Sequence, residues 1–139
     1  KIITPLDSCG TFALAGKDLA TFRAAKSPLS LAIEESSHVW YNAIPGRIKE
    51  RRRYPSPSES TTYLFDCVAV HLAYSCMYFQ MQEMPLAVTD DGMTRVVELG
   101  SADAVVNVAV AMEDAVGFTD LVVTRLAMHA PASLFKSNL

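Results

Sequence analysis

Cys67, His71 and Cys76 carry the side chains of a zinc string, since zinc takes thiolate and imidazole ligands readily. Whether they can share one ion depends on the element beneath them. On a helix, positions 67 and 71 are neighbours. On a strand they stand ~13 Å apart, at ~3.3 Å per residue, too far for a single zinc. The surrounding "TTYLFDCVAVHLAY" is rich in β-branched and aromatic residues, which predicts a strand and therefore no metal. Cys9, followed by Gly10, Thr11 and Phe12, could act as a thiol nucleophile with His38, His71 or His129 as its base. That chemistry needs the base in contact and an oxyanion donor, and a lone cysteine beside glycine reads first as a turn thiol. Asp90 and Asp91 could form a carboxylate pair, but Asp-Asp-Gly is a turn signal. The six glycines are scattered and form no phosphate-binding loop. No catalytic residue, metal or cofactor is assigned, and no enzymatic activity is expected.

The basic run is the stronger signal. "GRIKERRRYPSPSESTTY", residues 46–63, holds five of the twelve Lys and Arg residues in a chain of net charge -3. Residues 1–53 carry nine basic and five acidic side chains, and residues 54–139 carry three and ten. Such a sign change can mark a polyanion-binding half. As a strand, "RIKERRRY" would put Arg47, Lys49, Arg51 and Arg53 on one face at ~6.6 Å intervals, close to the spacing of successive phosphates. Arg52 would point the other way. Thr61 and Tyr63 on the following strand would add a hydroxyl and a stacking ring for unpaired bases. An edge strand protected from aggregation by charge would have the same pattern.

The elements that must hold these residues are expected to follow an α+β order within a single domain, 1–139, strand-rich over 1–99 and helical over 101–139. "IITPLDSCGTFALAG" reads as two short strands about a turn, an N-terminal hairpin. "LSLAIEE" alternates Leu29, Leu31 and Ile33 with Ser30, Ala32 and Glu34, and "HVWYNAIPG" continues extended to a Pro-Gly turn. Residues 61–82 read as strand with a break near Ser75. "TDDG" is a turn and "TRVVEL" a returning strand. Ser101 then offers an N-cap for a helix with Ala104, Val105, Val108, Ala111, Met112 and Ala115 in an apolar stripe. Gly117 stops it, and Thr119 caps a second helix that Pro131 ends.

Composition points to partners. Half the residues are hydrophobic and 19% charged, more apolar surface than one core of this size hides, so an obligate oligomer is expected. Three cysteines cannot all pair within one chain, and free thiols are expected. No apolar run reaches the ~18 residues that a bilayer span needs, so no membrane partner is expected.

The order of elements resembles the coat proteins of single-stranded RNA bacteriophages. The resembling segments are "AIPGRIKERRRYPSPSESTTYLFDCVAVHLAY", "TRVVELGSADAV" and "FTDLVVTRLAMHAP". The resemblance implies an antiparallel β-sheet with an N-terminal hairpin followed by two C-terminal α-helices, and a homodimer sharing one sheet. It further implies self-assembly into an icosahedral shell that packages single-stranded RNA, with the protein in the virion and, during assembly, in the host cytoplasm. The RNA contacts would be Arg47, Lys49, Arg51 and Arg53, with Thr61 and Tyr63 as auxiliaries. The rival readings are a dimeric nucleic-acid-binding regulator and a small cysteine hydrolase.

Overall fold

Helices occupy much of the region where strands are expected, and a strand lies where the first C-terminal helix is expected. The computed structural model describes residues 2–5, 10, 12–52 and 54–128. The chain divides into two compact units: residues up to 12 with 64–115, and residues 13–63 with 116 onward. Among the described residues there are four strands and five α-helices, an α+β arrangement.

The second unit is helical. α1 (Gly16–Ala24) has Asp18 in its first turn and Arg23 in its last, matching the helix dipole, and buries Leu19 and Phe22. α2 (Pro28–Ala43) starts where the Ser27 hydroxyl accepts from the Ser30 amide, with Pro28 in the first turn. This cap overrides the alternation of Leu29, Leu31 and Ile33. The buried positions are Ser30 and Ser37, while Leu31 is 54% exposed. The helix therefore turns a small, hydroxyl-bearing face inward, and the leucines that suggested a strand lie outside. α3 (Gly46–Arg52) follows Pro45, whose carbonyl accepts from the amides of Ile48 and Lys49. α4 and the sheet belong to the first unit; α5 (Ala115–Ala127) returns to the second, with Phe118, Val122 and Val123 buried. The Ser27 hydroxyl donates to the Leu126 carbonyl at 2.8 Å, tying the start of α2 to the end of α5. Gly117 lies inside α5 rather than ending a helix.

The first unit is a mixed sheet with one helix. α4 (Phe65–Leu72) buries Val68, His71 and Leu72, three positions of one helical face. β1 (Ile2–Ile3), β2 (Phe79–Val88), β3 (Thr94–Val96) and β4 (Ala104–Met112) are ordered β1-β4-β2-β3. β2 and β3 form a hairpin whose turn places Gly92 at φ +78, a conformation that favours glycine. β4 runs antiparallel to β2, with a register shift between Gln80 and Met81. Val106 and Val108 are buried while Val105 and Asn107 are exposed, so period two governs this segment.

These facts correct the expected antiparallel sheet with N-terminal hairpin and two C-terminal helices. β1 pairs in parallel with β4, Ile2 opposite Asn107 and Ile3 opposite Val108, so the sheet is mixed. Of the turn expected for that hairpin, residues 7–10, Asp7, Ser8 and Cys9 lie outside the described residues. Residues 104–112 lie in the sheet, where the first of the two C-terminal helices is expected. The physical reason is visible in "VVNVAV": Val105, Val108 and Met112 satisfy a helical stripe, but a run of β-branched residues with one polar interruption also fits a half-buried strand. No helix among the described residues is long and apolar enough to cross a membrane.

Candidate nucleic-acid interface

The basic run forms a helix, and this changes which cations can act together. Successive residues turn by about 100°, so positions 47 and 49 fall on nearly opposite sides of α3 while 47 and 51 stack one turn apart. The even ladder of four cations at strand spacing is therefore replaced by two smaller groups. Arg47 is exposed. Lys49 is half-buried, and its Nζ sits 4.1 Å from the centroid of the Tyr41 ring on α2, a cation–π contact. Arg51 lies on α3. Arg53 lies outside the described residues.

The chain leaving α3 is folded back by the Tyr54 amide, which donates to the Lys49 carbonyl at 3.1 Å. That places the Tyr54 ring between two others. Trp40 meets it edge-on with centroids 5.2 Å apart, and Tyr63 meets it tilted at 5.5 Å. These are the separations at which aromatic quadrupoles attract. Residues 56–60 then make a tight turn, in which the Glu59 and Ser60 amides donate to the Ser56 carbonyl at 2.9 and 3.1 Å. Arg23 of α1 clamps this turn. Its guanidinium donates to the carbonyls of Pro57 and Ser58 while its Nε donates to Glu34 at 2.8 Å.

Thr61 has a structural role. It is only 4% exposed, its hydroxyl accepts from the Leu14 amide, and its own amide donates to the Leu14 carbonyl, both at 3.0 Å. Its reading as an RNA contact places it on an exposed strand that the structure does not contain. Tyr63 stands in the aromatic group. Trp40, Tyr41 and Tyr54 were not among the expected site residues, and nothing local in the sequence connects them. They lie on α2 and after α3, so only the helix-turn-helix path brings them together.

The crevice under this cluster is lined by Trp40, Tyr41, Tyr54, Pro55, Pro57 and residues 60–63, and its enclosed space is about 10 Å³, room for about one water. Sites that engulf a drug-sized ligand are typically ~300–1,000 Å³. A base would therefore lie on this surface and not within it, with Trp40 37% exposed at the rim.

A second cluster lies in the sheet unit. His71 of α4 is buried among Tyr74, Tyr78 and Phe79, at centroid distances of 5.1, 5.5 and 5.9 Å. Its Nε2 is 2.9 Å from the Met77 carbonyl. Since 65–72 is a helix, Cys67 and His71 are one turn apart, and the strand-distance argument against zinc does not apply. Among the described residues no group of three or more His, Cys, Asp or Glu side chains is placed to hold a metal. Burial, and then the charge of Asp66, push the Cys67 thiol up from its ordinary pKa, which disfavours the thiolate. His38 is exposed, and Cys9 and His129 lie outside the described residues.

Comparison with protein-family models, curated proteins and solved structures returned no match.

Proposed function

We propose that the helical unit binds single-stranded RNA, with bases stacking at the Trp40, Tyr54 and Tyr63 cluster and phosphates met by Arg47 and the other cations of 47–53. The observation that supports this most directly is the gathering of three rings beside the densest run of positive charge in an acidic chain. Stacking platforms bordered by cations suit unpaired strands, because every base has a π-face and every nucleotide a phosphate. The cation–π contact of Lys49 with Tyr41 fixes one positive charge at the edge of the same cluster. The packaging shell rested on a coat-protein layout that the structure corrects, so the proposal stands on this surface alone.

The test is a titration of the full chain with a single-stranded RNA 20-mer, and with the same sequence as a duplex, over a salt series. Single-strand binding should be tighter, and log K should fall with log salt by roughly 0.7 for each phosphate neutralised. Equal affinity for duplex and single strand, or no binding at about 50 mM salt, overturns the proposal. Sizing the same mixtures separates a shell from a discrete dimer and from a monomer.

A further inference from the structure

We propose that Ser56 is a phosphorylation site for a proline-directed serine kinase, and that its phosphate loosens the 56–60 turn and weakens RNA binding on the adjoining surface. The second half rests on the RNA-binding proposal above; the first does not.

Three serine or threonine residues in the described chain precede a proline: Thr4, Ser27 and Ser56. A kinase needs the hydroxyl oxygen accessible, and the structure separates them on that ground. The Thr4 Oγ1 is buried. Ser27 is 0% exposed, and its hydroxyl is engaged with the Leu126 carbonyl and the Ser30 amide. Ser56 sits in a turn, half-exposed, with exposed Ser58 and Glu59 beside it. Its hydroxyl meets only the Ser58 hydroxyl and the Glu59 carboxylate, both in the same exposed turn.

Phosphorylation is a balanced transfer from a nucleoside triphosphate. The Ser56 Oγ–P bond forms, and the bond from the γ-phosphorus to the β,γ-bridging oxygen breaks. The hydroxyl proton passes to the kinase's base, and the nucleoside diphosphate leaves with the electron pair. The product carries about -1.5 to -2 charge where the hydroxyl stood. Glu59 Oε2 now accepts from both the amide and the hydroxyl of Ser56 at 3.4 Å. A phosphate cannot donate that second bond, and it repels the carboxylate. The Arg23 guanidinium is already shared among Glu34 and the carbonyls of Pro57 and Ser58, so it leaves its clamp if it turns to the phosphate. In either case the turn that separates Tyr54 from Tyr63 loses its fastening. The same dianion lies three residues after a five-cation run and offsets about two of its charges.

The experiment treats the full chain with a purified proline-directed serine kinase and Mg-ATP, then maps phosphate by tandem mass spectrometry. Ser56→Ala serves as the blocked control. One phosphate is expected on Ser56, with none on Thr4 or Ser27. Amide hydrogen exchange at Ser60 and Thr61 should accelerate about tenfold. RNA affinity at low salt should fall about tenfold, with the log–log salt slope reduced by roughly 1.4. Absence of phosphate on Ser56 overturns the site, and phosphate there with unchanged exchange and affinity overturns the switch. If the unmodified chain does not bind RNA, the proposed function fails, while the mapping and exchange still decide the modification and the loosening.

Discussion

In the sheet unit, Tyr74, Tyr78 and Phe79 surround a buried histidine whose Nε2 faces the Met77 carbonyl. In the helical unit, Trp40, Tyr54 and Tyr63 border a crevice open to solvent, next to a basic helix. Ring-to-ring spacings are alike in the two places, but the surroundings differ. The first cluster closes a connection: Tyr78 has φ +76, a conformation costly for a bulky residue, and its carbonyl accepts from the amides of Glu113 and Asp114. Those bonds hold the chain where it passes from α4 into β2. The second cluster borders the basic run; since Tyr74 of the first is 69% exposed and Trp40 of the second 37%, charge and not exposure separates the two. Aromatic contacts alone do not mark a binding surface; the charge beside them does.

The largest effects should separate the two clusters. Tyr54→Ala removes the central ring of the open cluster and should weaken single-stranded RNA binding by about 1–3 kcal/mol, the range for loss of one stacked base, or roughly 5- to 150-fold. Tyr54→Phe should retain most of the affinity. His71→Ala should instead lower stability by about 1–3 kcal/mol, through the orphaned Met77 carbonyl and the vacated space, with RNA affinity per folded molecule unchanged. Denaturant melts and anisotropy titrations on the same three variants read both quantities. If His71→Ala costs as much affinity as Tyr54→Ala, the distinction between the clusters is wrong.

The reason one cluster was partly legible in the sequence and the fold was not lies in particular residues. The run of Arg47 to Arg53 is conspicuous at any secondary structure, so its charge is read correctly even though its geometry is not. Its element was misassigned because alternation in "RIKERRRY" imitates a strand, whereas Pro45 and the Pro-Gly step open a short helix. In α2, Ser27 and Pro28 are a legible start signal, but Leu29, Leu31 and Ile33 outweighed it. The serine-lined inner face, with Ser30 and Ser37 buried, gives the hydrophobic pattern nothing to find. The "TDDG" turn and the strand after it were legible because a positive-φ glycine between two strands has few alternatives. The parallel partnership of β1 with β4 spans about a hundred residues, and no local pattern encodes it.

A smaller effect tests charge in each region. Arg47 is exposed on α3, and Arg47→Ala should reduce the log–log salt slope of RNA binding by roughly 0.7. Arg95, on the sheet hairpin, is bonded to Asp91 at 2.9 Å and exposed. Arg95→Ala should leave the slope as it is. The helical geometry also alters the expected pattern within the run: Arg51→Ala should resemble Arg47→Ala, since the two positions stack on α3. Equal losses from Arg95 and Arg47 would mean that RNA meets the whole molecule's field and not the interface on the helical unit.

The smallest effect concerns the closed region's thiol. Burial raises the Cys67 pKa, with a further contribution from the Asp66 charge beside it. The folded state therefore holds the thiol proton more tightly than the unfolded chain, whose cysteines titrate near about 8.5. The stabilisation is fully present below that value and is lost as pH rises through the higher folded pKa. Cys67→Ser should flatten this alkaline decline. In a Cys9→Ser background a thiol reagent at neutral pH should take exposed Cys76 first and Cys67 slowly, and Asp66→Asn should quicken Cys67 by removing the second cause. RNA binding should not respond to any of these changes. If Cys67 reacts as fast as Cys76, the sheet unit is open to water on the α4 side.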